Sequence, residues 1–222
     1  RPKAAADYGA QVVAALGAPR TRAELVEVVG GRKAAVLSAA KALLASKHDW
    51  LFLLNDDQIY NPGTLIRLLA HQRPVVTGIT TGRMFPFVPA IYGPQGADGS
   101  MQPIFLTAGM RGLLPIHYCG DHSLLIRRDV LETMQHPWWG HCSDRWPSRE
   151  RVQHDVVFCD GVREAGFKIL CDLDTPVGHL AVVPIVPDES STHRPHGIRL
   201  EGQKWGTTDI ANVQSPAGAV CK

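Results

Sequence analysis

The sequence predicts an α/β fold: an open, mostly parallel sheet flanked by helices, with an irregular C-terminal tail. Two observations carry this expectation and a third gives it a functional edge. Strand-length apolar runs alternate with helical patterns over 24–80 in a β-α-β-α-β rhythm, the signature of an α/β sheet. The run "WLFLL", 50–54, is apolar without alternation, as a strand covered on both faces requires. That run stops abruptly at Asn55-Asp56-Asp57, and open α/β sheets bind ligands just beyond the carboxyl ends of their strands.

The elements follow in order. Residues 3–16 are Ala-rich and helical in pattern, and "ELVEVV", 24–29, is a short strand ending at Gly30-Gly31. Over 32–46, Val36, Ala40, Leu43 and Leu44 recur at helical spacing. After the 50–54 strand, Asn61 offers an N-cap and Pro62 a first helical position, with Leu65, Leu68 and Leu69 on one face. "PVVTGIT", 74–80, is the next strand. Strands are expected in 87–93 and 111–131, the latter broken by a polar stretch at Cys119–His122 and running into a helix marked by Asp129 and Glu132. Residues 137–155 read as a loop rich in Trp, Pro and His. A helix from about Val152 ends at Gly166, a residue suited to the left-handed position after a helix. "FKILCDL" is a further strand, and the chain from Val183 reads as an irregular tail or lid.

Composition fits one domain, with 222 residues, 45% hydrophobic and 20% charged. The core would span 1–182, and 183–222 would be an extension of the same domain. A net charge of +2 with scattered basic residues gives no field that points to nucleic acid or an acidic membrane. No run approaches the roughly 18 apolar residues of a membrane span, and the first residues do not resemble a signal peptide. Five cysteines without a CxxC pair speak against a disulfide framework and for a reducing cytoplasm.

Asn55-Asp56-Asp57 places hard oxygen ligands at a strand end, where Mg²⁺ or Mn²⁺ with substrate phosphates is commonly held. The plainer alternative is a turn after a strand, since Asn and Asp favour turns. His154-Asp155 opens a helix beside the Trp-rich loop, where a carboxylate suits either the helix dipole or a general base. His179 follows Gly178 in an apolar context, where a lone His is more often a satisfied turn residue than a ligand. The stretch "HYCGDH" lacks the spacing of a closed zinc site. Trp138 and Trp139 suit either a core or stacking on a sugar ring.

Taken in order, "NDDQ", "NPGTLIRLLAH", "PVVTGI", "CGDHSLLIRRDVLETM", "PWW" and "HDVVFCDGVREAGFKILCDLDTPVGH" resemble the GT-A-fold glycosyltransferases, in particular the family 2-like bacterial and phage enzymes. The resemblance covers about 1–180, and its specificity lies in the order of the pieces rather than in any one of them. It implies that Asp57 binds the divalent metal, Mn²⁺ or Mg²⁺, and that Asn55 and Asp56 lie near the nucleotide, sugar and phosphates of the donor. It implies Asp155 as catalytic base and His179 as the residue completing the metal site. It places Gly120 and His122 on the acceptor side, with Trp138 and Trp139 on its rim. Asn55 and His154 depart from the family's acidic pattern, and the chain begins at "RPKAAADYG", as if just inside the turn that follows the family's first strand.

The implied activity is transfer of a sugar from a nucleotide-diphosphate donor to an acceptor hydroxyl, inverting the anomeric centre. Two rivals stand beside it: a nucleotidyltransferase, for which the basic Gly-rich loop is not evident, and a non-catalytic sugar-nucleotide binder, which the Asn55 and His154 departures favour.

Overall fold

A computed structural model of the chain describes residues 32–83, 87–97, 100–140 and 154–181, together with three short strands beyond them. The expected helix over 3–16, the expected strand over 24–29 and the segment 141–153 lie outside the described residues. The elements are α1 (Arg32–Ala45), β1 (Trp50–Leu53), β2 (Gln58–Ile59), α2 (Thr64–Ala70), β3 (Val75–Ile79), β4 (Ile91–Tyr92), β5 (Leu113–Ile116) and β6 (Tyr118–Cys119). They continue with β7 (Leu124–Arg127), α3 (Arg128–Thr133), α4 (His154–Glu164), β8 (Ile169–Pro176) and β9 (Gly178–His179). In the tail follow β10 (Ile185–Val186), β11 (Gly197–Leu200) and β12 (Gln203–Trp205).

The main sheet has five strands in the order β1-β7-β3-β8-β5. Only β3 and β8 pair in parallel; β1–β7, β7–β3 and β8–β5 are antiparallel. The sheet is therefore mixed, and the expectation of a mostly parallel one is corrected. The reason lies in what an apolar run reports. Leu124, Leu125 and Ile126 are all at most 1% exposed, so β7 reads as a strand covered on both faces, and burial on two faces carries no information about direction. Parallel pairing also needs a long crossover, usually helical. Among the described residues no helix lies between β3 and β7, and β7 enters the sheet antiparallel between β1 and β3.

The period of two along each strand sorts side chains into two layers. Val75, Leu124, Ile126 and Leu53 belong to the larger core, which also holds Val36, Ala40 and Leu43 of α1, Val130 and Leu131 of α3, and Phe158 and Val162 of α4. Val76 and Leu125 face the other way, onto Leu65 and Leu68 of α2. The apolar spacings foreseen for α1 and α2 are those that bury these helices. The start of α2 differs from expectation: its N-cap is Gly63, two residues after Asn61. Asn61 instead stabilises the preceding turn, its side-chain oxygen accepting the Gly63 N–H at 3.1 Å and its carbonyl the Thr64 N–H at 2.9 Å. At the end of α4, Gly166 has φ +86°, and the Phe167 N–H returns to the Val162 carbonyl at 3.0 Å.

The carboxyl end of α1 carries no basic residue in its last turn. Its carbonyl groups are met from α3: the Arg128 guanidinium donates to Leu43, Leu44, Ser46 and His48 oxygens at 2.7, 3.3, 2.8 and 2.9 Å. A cation there satisfies orphan carbonyls and complements the helix dipole. Arg128→Ala is expected to lower stability by about 1–2 kcal/mol, read as a lower urea midpoint at unchanged slope.

Cys119, Cys159 and Cys171 are buried and free. The tail, expected to be irregular, forms a three-stranded antiparallel sheet in the order β10-β11-β12. Among the described residues no helix is long and apolar enough to cross a membrane.

Candidate functional site

The chain leaves β1 at Leu53 and turns through Asn55-Asp56-Asp57 into β2. β2 pairs antiparallel with β9, setting Gln58 opposite His179 and Ile59 opposite Gly178. The Leu180 N–H donates to the Asp57 carbonyl at 2.8 Å and locks the register. A Cβ on Gly178 would come within 3.1 Å of Ile59 Cβ, so the small residue before His179 is what permits the close pairing. By this route the two strand ends bring Asp57 and His179 together across 122 positions of sequence.

The His179 Nδ1 lies 2.8 Å from the Thr81 carbonyl. A carbonyl only accepts, so Nδ1 carries the hydrogen. In the neutral ring Nε2 then presents a lone pair, and it faces Asp57 Oδ2 at 3.3 Å. Two acceptors so placed call for a proton or a cation between or beside them. Arg83, from the chain after β3, sets its guanidinium 3.3 Å from the same Asp57 oxygen. The other oxygen, Asp57 Oδ1, is buried without a hydrogen-bond partner. A carboxylate with a spare oxygen and an imidazole held in place by the Thr81 carbonyl are a donor set that Mg²⁺ or Mn²⁺ accepts, since these ions take few protein ligands and keep phosphates and water for the rest. Among the described residues no cluster of three or more His, Cys, Asp or Glu is assembled, so Asp57 and His179 would act as a pair. Of their neighbours, Asp56 is exposed, while Asn55 is half-buried with its N–H on the Tyr60 hydroxyl at 2.9 Å.

A second wall comes from the turn between β6 and β7. Asp121 is fully buried and His122 is 6% exposed. The His122 ring lies 6.2 Å from that of His179. Gly120 packs against it: a Cβ there would meet His122 Nε2 at 2.5 Å, so glycine is what leaves the imidazole its place. Asp121 Oδ2 lies 2.9 Å from Nε2 of His154, the first residue of α4. Asp155 follows, its Oδ1 accepting the Val156 N–H at 2.9 Å. Tyr92 of β4 is near enough to feel that carboxylate: burial first, and the Asp155 charge second, push its phenol above the ordinary tyrosine range. Contacts thus run from Asp57 through His179 to His122, and from the adjoining Asp121 to His154 and Asp155.

Trp138 and Trp139 stand apart from this rim. They are 4% and 0% exposed, and the Trp139 ring stacks on Phe158 at 4.4 Å. Both are core residues here and offer no face for a sugar. Arg83, Asp121 and the orienting Thr81 carbonyl were not singled out in the sequence. Asp121 had a legible signal, as a carboxylate in a polar interruption between strands; Arg83 had none, because only the sheet brings it to Asp57.

No protein-family model matches the sequence, and a comparison with curated proteins found no match. Among solved structures, the crystal structure of A197 from STIV is similar with a TM-score of 0.49 and 14% sequence identity, over 77% of this chain and 76% of that one.

Proposed function

We propose that the chain is a metal-dependent glycosyltransferase domain, moving a sugar from a nucleotide-diphosphate donor to an acceptor hydroxyl. The observation that carries this reading is the Asp57–His179 pair just beyond the carboxyl end of β1, with His179 Nε2 3.3 Å from Asp57 Oδ2 and the other carboxylate oxygen without a hydrogen-bond partner. Asp57 and His179 would hold Mn²⁺ or Mg²⁺, which when bound supplies Lewis-acid neutralisation of the leaving diphosphate. Arg83 adds a guanidinium at the same edge, suited to phosphate oxygens. By the resemblance, Asn55 and Asp56 would meet the ribose, sugar or phosphates, and Gly120 and His122, whose ring lies 6.2 Å from that of His179, would line the acceptor side. The acceptor proton goes to the first turn of α4, at Asp155 by the resemblance, and direct displacement with a single base would invert the anomeric centre.

A second reading has its own support. Arg83 already offsets the Asp57 charge, and Asn55 contributes none, which suits a domain that binds sugar nucleotides without turning them over. Calorimetric titration of UDP and GDP with and without Mn²⁺ tests both. Binding of one nucleotide is expected to need Mn²⁺ and to weaken at least about 100-fold in Asp57→Ala, on the scale of about 3 kcal/mol for a lost charged ligand. Binding that ignores both Mn²⁺ and Asp57 would sink the metal site, and binding without donor turnover would favour the second reading.

A further inference from the structure

We infer that the proton acceptor of this site is the imidazole of His154, oriented by the buried carboxylate of Asp121. This rests on the glycosyltransferase reading above and names the group that serves it. Asp121 is 0% exposed and its Oδ2 stands 2.9 Å from His154 Nε2. An ionised carboxylate has only acceptors, so Nε2 must carry the hydrogen, and the lone pair of the neutral ring is left on Nδ1. No hydrogen bond from the described residues is made to that atom, and the side chain is 19% exposed. One ring nitrogen is therefore tied to a carboxylate inside the protein and the other is left without a hydrogen bond from the described residues, which is the arrangement of an oriented general base.

The neighbouring Asp155 is placed differently. Its Oδ1 accepts the Val156 N–H at 2.9 Å, so that oxygen is turned back onto the backbone of its own helix. Among the described residues, the ionisable groups around this corner include Asp121 and His122 from the β6–β7 turn, Asp155 and Cys159 on α4, Tyr92 from β4 and Cys119 from β6. In the step itself, the acceptor oxygen forms its bond to the anomeric carbon as the bond from that carbon to the phosphate oxygen breaks. The electron pair of the broken bond leaves with the diphosphate, and the acceptor's proton passes to His154 Nδ1, giving an imidazolium paired with Asp121. The reading also accounts for the departure noted in the sequence, where His154 stands at a position the family resemblance would make acidic.

The test uses the whole chain with Mn²⁺ and follows release of UDP or GDP from UDP-glucose, UDP-N-acetylglucosamine and GDP-mannose, with water as acceptor, from mildly acidic to mildly alkaline pH. Nucleotide binding is measured by calorimetry on the same samples. His154→Gln is expected to slow release by about 10²–10⁴-fold with nucleotide binding retained, and added imidazole is expected to restore part of the rate in His154→Gly. Asp121→Asn is expected to move the acid limb of the pH profile to lower pH, because the imidazolium loses its carboxylate partner. Release in His154→Gln at the wild-type rate, or nucleotide binding with no release that depends on His154, overturns the inference and leaves the binding site standing. A wild type that binds neither nucleotide overturns the underlying reading, and the inference with it.

Discussion

Trp139→Ala is expected to destabilise the protein by about 3–5 kcal/mol, the range for deleting a large aromatic from a core. The ring is fully buried and lies nearly parallel to Phe158, with an interplanar angle of 8°. Such a pair adds roughly 0.5–1.5 kcal/mol to what area burial alone provides. Phe158 belongs to α4, so the stack is one of the contacts holding the helix that carries His154 and Asp155. Gly140 continues the same wedge, since a Cβ there would fall 2.9 Å from Pro137 Cγ and 3.3 Å from Val157 Cγ1. A compensating detail sets the contrast. Trp139 Nε1 is buried without a hydrogen-bond partner, and an orphaned donor costs about 1–3 kcal/mol. Trp139→Phe removes that donor while leaving a void, so its net cost is expected to stay under about 1.5 kcal/mol. Urea unfolding of the two variants separates the terms. Equal midpoints for Trp139→Ala and the wild type would contradict the core position, and equal losses for both variants would mean that the indole N–H has a partner after all.

The same residue shows what the sequence makes legible and what it hides. Two adjacent tryptophans in a polar loop suit a sugar platform and a core equally well, and nothing local separates the cases; only contact with Phe158, some twenty residues on, decides. Helices were easier. Val36, Ala40 and Leu43 mark the buried stripe of α1 because a period of 3.6 is a property of the helix alone. Strand positions were also legible, as at 50–54 and 74–80, but strand direction was not, because Leu124–Ile126 would be equally apolar in either orientation. The Asp57–His179 pair was foreseen only through the family resemblance. Its geometry depends on β2 and β9, two strands of two residues each, too short to leave any periodic trace. The Asp121–His154 contact lies further out of reach, because it joins a turn to a helix start 33 positions away.

The second large effect concerns a charge on the other side of the sheet. Asp172 in β8 is fully buried, and its two oxygens accept four hydrogen bonds. Arg67 Nε at 3.1 Å, His71 Nε2 at 2.9 Å and the Thr175 hydroxyl at 2.7 Å meet Oδ2, and the Asp174 N–H meets Oδ1 at 3.0 Å. Burial by itself would raise the carboxyl pKa; the bonds from His71, Thr175, the Asp174 backbone and Arg67 outweigh it, and the group is held below the ordinary aspartate value of 3.8. Because the folded pKa is the lower one, the carboxylate contributes its full stability above the unfolded value. That contribution is lost as pH falls through the folded pKa. Asp172→Asn keeps the shape and removes the charge. It is expected to cost about 2–3 kcal/mol at neutral pH, a discounted figure because the Arg67 side chain is 51% exposed and recovers solvation when its partner is neutral. Below about pH 4 the gap between wild type and variant is expected to close, since protonation does to the wild type what the substitution does to the variant. Urea midpoints for both proteins across the acid range give the comparison directly. A gap that persists unchanged into strong acid would mean that Asp172 acts through shape alone, and a gap that widens there would reverse the sign of its linkage.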